Sequence, residues 1–149
     1  RTNYPEALMS LTPFLMFEGR AREAIDLYTS VVPRSSVDSV VYFPAEAQPE
    51  GEPEGEASTP LVMMAVVSLD GQTVKINDTP ITHGFTFTPS TSLYFQTDDP
   101  AEYETVLSGL GHDGSFLMSD SDEYDFAARF AWLNDRLGVS WQLALAPSV

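Results

Sequence analysis

The chain has 149 residues, enough for one domain whose core needs no disulfide or metal, and its lack of cysteine excludes thiol catalysis, thiolate zinc sites and disulfide frameworks. Its 22 Asp and Glu outnumber 7 Lys and Arg, giving a formal charge of −15; such a chain repels phosphate backbones and anionic membranes and carries no basic stripe for nucleic acid. The longest apolar run, Leu61 to Val67, is far shorter than the roughly 20 residues that span a bilayer, and no charged-then-apolar leader opens the sequence as given, so a cytoplasmic protein without membrane or nucleic-acid partners is expected.

Thr12 to Phe17 reads as a short apolar strand. Ala21, Ala24, Ile25 and Tyr28 then fall at i, i+3, i+4 and i+7, the stripe of an amphipathic helix that Pro33 stops. Strand-like runs follow at Val37–Phe43, Leu61–Leu69 and Gln72–Asn77, the last two joined by Asp70-Gly71, a hairpin signal. Between them Pro44 to Pro60, with Glu46, Glu50, Glu52, Glu54 and Glu56, has no apolar periodicity and reads as a solvated loop. After Thr79-Pro80 the order begins again. Ser92–Thr97 is a strand, Asp99-Pro100 opens a helix, and Tyr103, Val106, Leu107 and Leu110 repeat the helical stripe. Three more strands are predicted at Ser115–Met118, Phe126–Leu133 and Val139–Leu145.

The chain thus reads β-α-β-β-β twice, with corresponding elements about 80 residues apart, and neither half can bury both faces of its sheet alone. Spacing alone identifies no catalytic constellation. Gly109, Gly111 and Gly114 spell G-x-G-x-x-G, but a helix precedes them and a strand follows, the inverse of a dinucleotide site, so they are read as a helix C-cap and a turn. His83 and His112 fall in predicted turns without metal-ligand companions. The acidic cluster Asp120, Asp122, Glu123 and Asp125 lacks the glycine and the terminal glutamate of a calcium loop, since those positions hold Asp125 and Ala131.

The stretch Leu11-Thr12-Pro13-Phe14-Leu15-Met16-Phe17 with its helix, and Trp132 through Leu143 with Asp135-Arg136-Leu137-Gly138-Val139-Ser140-Trp141-Gln142, resemble the opening and the ending of the PhnB-like family. Many members of that family carry the label 3-demethylubiquinone-9 3-methyltransferase, and it belongs to the vicinal oxygen chelate (glyoxalase, bleomycin-resistance, dioxygenase) superfamily. Asn77-Asp78-Thr79-Pro80 and Phe87-Thr88-Pro89-Ser90 resemble two internal motifs of the same family, and the acidic segment 45–59 looks like an insertion.

The resemblance implies an α+β, glyoxalase-like domain over residues 1–149. Module one covers about 10–79 and module two about 80–147, and their curved sheets form an open barrel around a cleft. In metal-using relatives, strand positions that open and close each module carry His or Glu ligands. The matching positions here are Thr12, Lys75 or Asn77, Ser92 and Gln142, none of them a strong ligand for zinc, nickel or iron, so no metal is expected. No adenosyl-binding turn is present, so neither a cofactor nor the methyltransferase activity of the label is expected. What remains is a cleft lined, by strand alternation, by Thr12, Phe14, Met16, Lys75, Asn77, Ser92, Tyr94, Trp132 and Gln142, with Lys75 as the handle for an anionic or carbonyl group. The leading expectation is a metal-free small-molecule binding protein of undefined ligand. The alternatives are a metal-dependent lyase or dioxygenase, and a drug-sequestering protein of the bleomycin-binding type. The resemblance also implies a homodimer, with Phe85, Phe87 and the uncharged run Thr86 to Ser92 available to the second copy.

Overall fold

A computed structural model describes residues 10–45 and 60–147. Most of the acidic segment therefore lies outside the described residues.

Two modules of the expected β-α-β-β-β order follow one another. The first comprises β1 (Phe14–Phe17), α1 (Ala21–Val31), β2 (Ser36–Tyr42), β3 (Val62–Leu69) and β4 (Gln72–Asp78). The second comprises β5 (Leu93–Thr97), α2 (Pro100–Gly111), β6 (Ser115–Ser121), β7 (Arg129–Asn134) and β8 (Ser140–Leu145). Each forms a four-stranded sheet, in the orders β1-β4-β3-β2 and β5-β8-β7-β6, and among the described residues no strand pairing joins the two sheets. In each sheet the opening strand pairs in parallel with the closing one, and the remaining pairs are antiparallel.

Alternation decides which side of each strand is dry. In β3 and β4, Ala65, Val67, Leu69, Val74 and Ile76 are buried, and in β8 Trp141, Leu143 and Leu145 are; all belong to one continuous core that also holds Ala24, Ile25, Tyr28, Tyr103, Val106 and Leu110 from the helices. The helices touch each other as well as their own sheets. The opposite faces of both sheets are consequently turned away from this shared core.

The helix–helix contact explains a glycine misread in the sequence. Gly109 is no cap: it lies inside α2, where an added Cβ would stand 2.3 Å from Val31 Cγ1 of α1. Gly114 meets the same limit, its Cβ falling 2.5 Å from the Asn134 carbonyl. Both glycines admit close neighbours, and the expected turn is present as well, the Gly114 amide donating to the Gly111 carbonyl at 3.0 Å just after α2 ends. The hairpin at Asp70-Gly71 is as expected, with φ of 50° and 80° at its two residues.

The two helices start differently. α2 has a local cap, the Asp99 carboxylate accepting from the Ala101 amide at 2.9 Å, with proline in its first turn. α1 has no side-chain cap of its own. Asp78, buried at the end of β4, accepts from the Gly19 and Ala21 amides through Oδ1 and from the Val62 amide through Oδ2, so one carboxylate fixes the start of α1 and the start of β3. A second buried carboxylate, Asp135 in the β7–β8 turn, joins the modules. It accepts the Tyr28 hydroxyl of α1 at 2.7 Å, the Trp141 indole N–H at 3.0 Å and the amides of Leu137 and Val139. Burial and the neighbouring Asp135 push the Tyr28 hydroxyl far above its ordinary range, so it stays a donor. On the surface Arg34 bridges Asp70 of module one and Glu102 of α2.

Three strand boundaries differ from the sequence reading by more than one residue. β1 starts at Phe14 rather than Thr12, because Pro13 has no N–H to give; its carbonyl instead accepts from Lys75. β6 runs on to Ser121, and β7 begins only at Arg129, leaving Phe126–Ala128 in the connection between them.

Candidate functional site

The residues expected in the cleft form two groups, one on the open face of each sheet. On the first, cross-strand register sets Phe14 beside Lys75 and Met16 beside Asn77, and Val66 lies on the other flank of Lys75. Phe14 is 48 % exposed, Lys75 is exposed, and Met16 and Asn77 are half-buried. Thr12 stands outside the strand, its hydroxyl bonded to Ser10 at 3.0 Å. On the second, Tyr94 pairs with Gln142 and Gln142 with Trp132. Ser92 sits just before β5, with its Oγ 2.7 Å from that of Ser140, which also accepts the Trp132 indole N–H at 2.8 Å. The Oδ1 atoms of Asn77 and Asn134 are buried without a donor among the described residues.

Charge singles out one of these side chains. Among the described residues every arginine has a carboxylate partner: Arg20 with Glu23, Arg22 with Asp26, Arg34 with Asp70 and Glu102, Arg129 with Asp120 and Glu104, and Arg136 with Glu23. Lys75 has none within the described residues.

The second face has a cover that the sequence did not reveal. Phe126 and Tyr124, in the connection after β6, fold back over Phe130; Phe126 and Phe130 meet edge to face at 4.9 Å, Tyr124 and Phe130 at 5.5 Å. Tyr94 completes the group at 6.5 Å from Phe130. Phe130 and Ala144 are buried beneath, whereas Phe126 is 61 % exposed. The alternation of Tyr124 and Phe126 is the available signal, but the sequence reading starts the next strand at Phe126 and assigns Tyr124 no role.

The segment expected to receive a second copy is divided. Phe85 is exposed, but Phe87 turns inward onto Phe17, ring centres 5.0 Å apart. Between edge strand β1 and this segment lie two hollows, of about 440 and about 270 Å³, that share Phe14, Thr86 and Phe87.

A model of the family described as 3-demethylubiquinone-9 3-methyltransferase matches residues 9–144. The chain belongs to that family. Among solved structures, the PhnB protein from Bacillus cereus, which carries the same methyltransferase label, is 39 % identical with a TM-score of 0.79, over 93 % of this chain and 100 % of that one. Protein PA1353 from Pseudomonas aeruginosa is 22 % identical with a TM-score of 0.75, over 94 % and 99 %. A glyoxylase/bleomycin resistance protein/dioxygenase domain from Frankia sp. EAN1pec, 11 % identical with a TM-score of 0.61 over 95 % of each chain, shares the fold. No protein of curated function matches. This member of the 3-demethylubiquinone-9 3-methyltransferase family is thus glyoxalase-like in architecture.

The groups that the family label and fold imply do not fit these residues. The donors at the strand positions are hydroxyls, amides and an amine, which do not compete with water for a transition ion, and no three His, Asp or Glu side chains converge among the described residues. Both helix N-termini, where the phosphate or carboxylate of a cofactor would seek free amides, are already served by Asp78 and Asp99. No described helix is long and apolar enough to cross a membrane.

Proposed function

We propose that the chain is a metal-free small-molecule binding protein that works as a homodimer. The open face of module one in one copy, with Phe14, Met16, Lys75 and Asn77, closes over the open face of module two in the other, with Ser92, Tyr94, Trp132 and Gln142. The observation that carries this reading is Lys75, the one described cation without a carboxylate partner, standing between Phe14 and Val66 on a sheet face directed away from the core. An exposed apolar face with a single cation suits a ligand with an apolar or aromatic body and an anionic or carbonyl group. Pairing brings together chains of net charge −15, so the contact must be substantially apolar, and it should bury more than about 1,000 Å² in total. Light scattering across ionic strength tests the dimer, and a monomer mass persisting at high protein and high salt removes it.

A second reading, sequestration of a cationic aromatic compound, takes its support from the exposed rings of Tyr94 and Phe126 and from the exposed carboxylates Asp122, Glu123 and Asp125 just before Phe126 in the chain. A calorimetric screen of matched aromatic anions and cations separates the two. Metal analysis of protein purified without chelator checks the remaining alternative, since stoichiometric zinc, nickel, manganese or iron would restore a metal-dependent lyase or dioxygenase.

A further inference from the structure

The smaller of the two hollows lies in the seam between the modules, where β1 faces the starts of β5 and β8 across residues 86–91. Its walls are Phe14, Leu15, Phe87, Leu93 and Val139, with Ser92, Ser140 and three threonines, and none of the described residues that line it is charged. At about 270 Å³ it has room for a single small ring, several times the roughly 30 Å³ that a water occupies in the liquid.

The direction of its hydrogen bonds follows from donor arithmetic. An indole N–H only donates, so Ser140 Oγ must accept from Trp132. Ser140 is 1 % exposed and cannot give its own proton to solvent; the other partner of its hydroxyl is Ser92 Oγ, at 2.7 Å. Ser140 therefore donates to Ser92, since the reverse would strand a buried O–H. The chain Trp132 N–H, Ser140 O–H, Ser92 O–H leaves the proton of Ser92 unspent at the wall of the hollow, each bond polarising the next.

We infer that the seam hollow binds a compact apolar ligand bearing a neutral oxygen acceptor, a ketone, ester or amide carbonyl, which takes the Ser92 proton. A carboxylate does not suit it, because no cation lines the wall. Unlike the faces that need a second copy, this site is complete within one chain; it borrows Phe14 and Ser92 from the rims of those faces but not Lys75, and it does not rest on the reading above.

Acetophenone and ethylbenzene, nearly equal in shape but with and without a carbonyl oxygen, probe it. Amide shift titrations of the intact chain should show acetophenone the tighter by about fivefold, with shifts centred on Thr86–Leu93. Ser92→Ala should abolish that ratio and leave ethylbenzene unmoved, whereas Ser92→Thr, which keeps the hydroxyl, should retain it. Trp132→Phe should reduce the ratio too, because without the indole donor Ser92 is free to turn its proton onto Ser140; a merely structural role for Trp132 would weaken both probes alike. Lys75→Met should change neither, which keeps this site distinct from the anion handle. Equal binding of the two probes, binding of neither up to its solubility limit, a ratio that survives Ser92→Ala, or shifts of Thr86–Leu93 that benzoate drives at lower concentration than acetophenone in Lys75→Met would each overturn the proposal.

Discussion

The two modules share one topology but anchor their helices and finish their open faces in different ways. Module one holds α1 by a remote carboxylate, Asp78, whose oxygens also secure the start of β3, while module two caps α2 with the adjacent Asp99. Among the described residues nothing folds over the open face of module one, and the cation on it has no carboxylate partner; module two folds Tyr124 and Phe126 over part of its own. Duplicated architecture thus supplies two frames, and the residues that differ between them supply the chemistry. The shared core restricts change on the helix side, whereas the open faces are free to diverge.

Anchoring gives the largest expected contrast. Asp78→Ala strips the acceptor from three backbone amides and should destabilise by roughly 3 kcal/mol, against about 1 kcal/mol for Asp99→Ala. Urea unfolding of both variants decides; equal losses would mean that the remote cap is no more than a local one. Next comes the seam between the helices. Gly109→Ala forces a methyl against Val31 and should cost about 2 kcal/mol, whereas Gly84→Ala, with open space around it, should change the urea midpoint little.

The contrast between the open faces predicts a smaller effect on binding and none on folding. Lys75→Met should weaken an aromatic anion such as benzoate about tenfold, or 1.4 kcal/mol, by calorimetry. Unchanged affinity would remove Lys75 as the handle. The smallest effect is a pH dependence at Asp120 of module two. Burial raises the affinity of Asp120 for its proton, but hydrogen bonds from Arg129 and Tyr103 outweigh it and hold the carboxyl below its usual range. A depressed carboxylate stabilises the fold above its unfolded pKa and ceases to as pH falls through its folded one. Asp120→Asn should therefore cost about 0.5 kcal/mol at neutral pH, and the difference should close below about pH 4. A gap that stays constant down to pH 2 would contradict the assignment.

What the sequence disclosed and what it hid divide along physical lines. Periodicity marked both helical stripes and the buried sides of β3, β4 and β8, because those residues are dry for the simple reason that they alternate or recur toward one core. The turn at Asp70-Gly71 was legible because its left-handed backbone needs those residue types. Asp78 and Asp135 were not legible as anchors, since their partners lie up to 107 positions away in sequence. Gly109 was misread because a glycine selected for a neighbouring helix looks the same as one selected for a turn. The composition of both open faces was readable from alternation, but the packing of both modules on one core, which sends the two faces outward, is a tertiary fact that no local pattern carries.

The placement of the two tryptophans has a spectroscopic consequence. Trp141 is locked in the core, its N–H on Asp135 and its ring edge-on to Tyr28 at 5.2 Å. Trp132, half-buried, belongs to the open face of the second sheet. Indole emission shifts with the polarity of its surroundings, so the first residue reports the loss of the core and the second the occupancy of the face. In Trp132→Phe the remaining emission should follow denaturation and ignore ligand, and the difference spectrum against the unaltered protein isolates binding. A single fluorimeter cell can then record folding and occupancy as separate channels, without an attached dye.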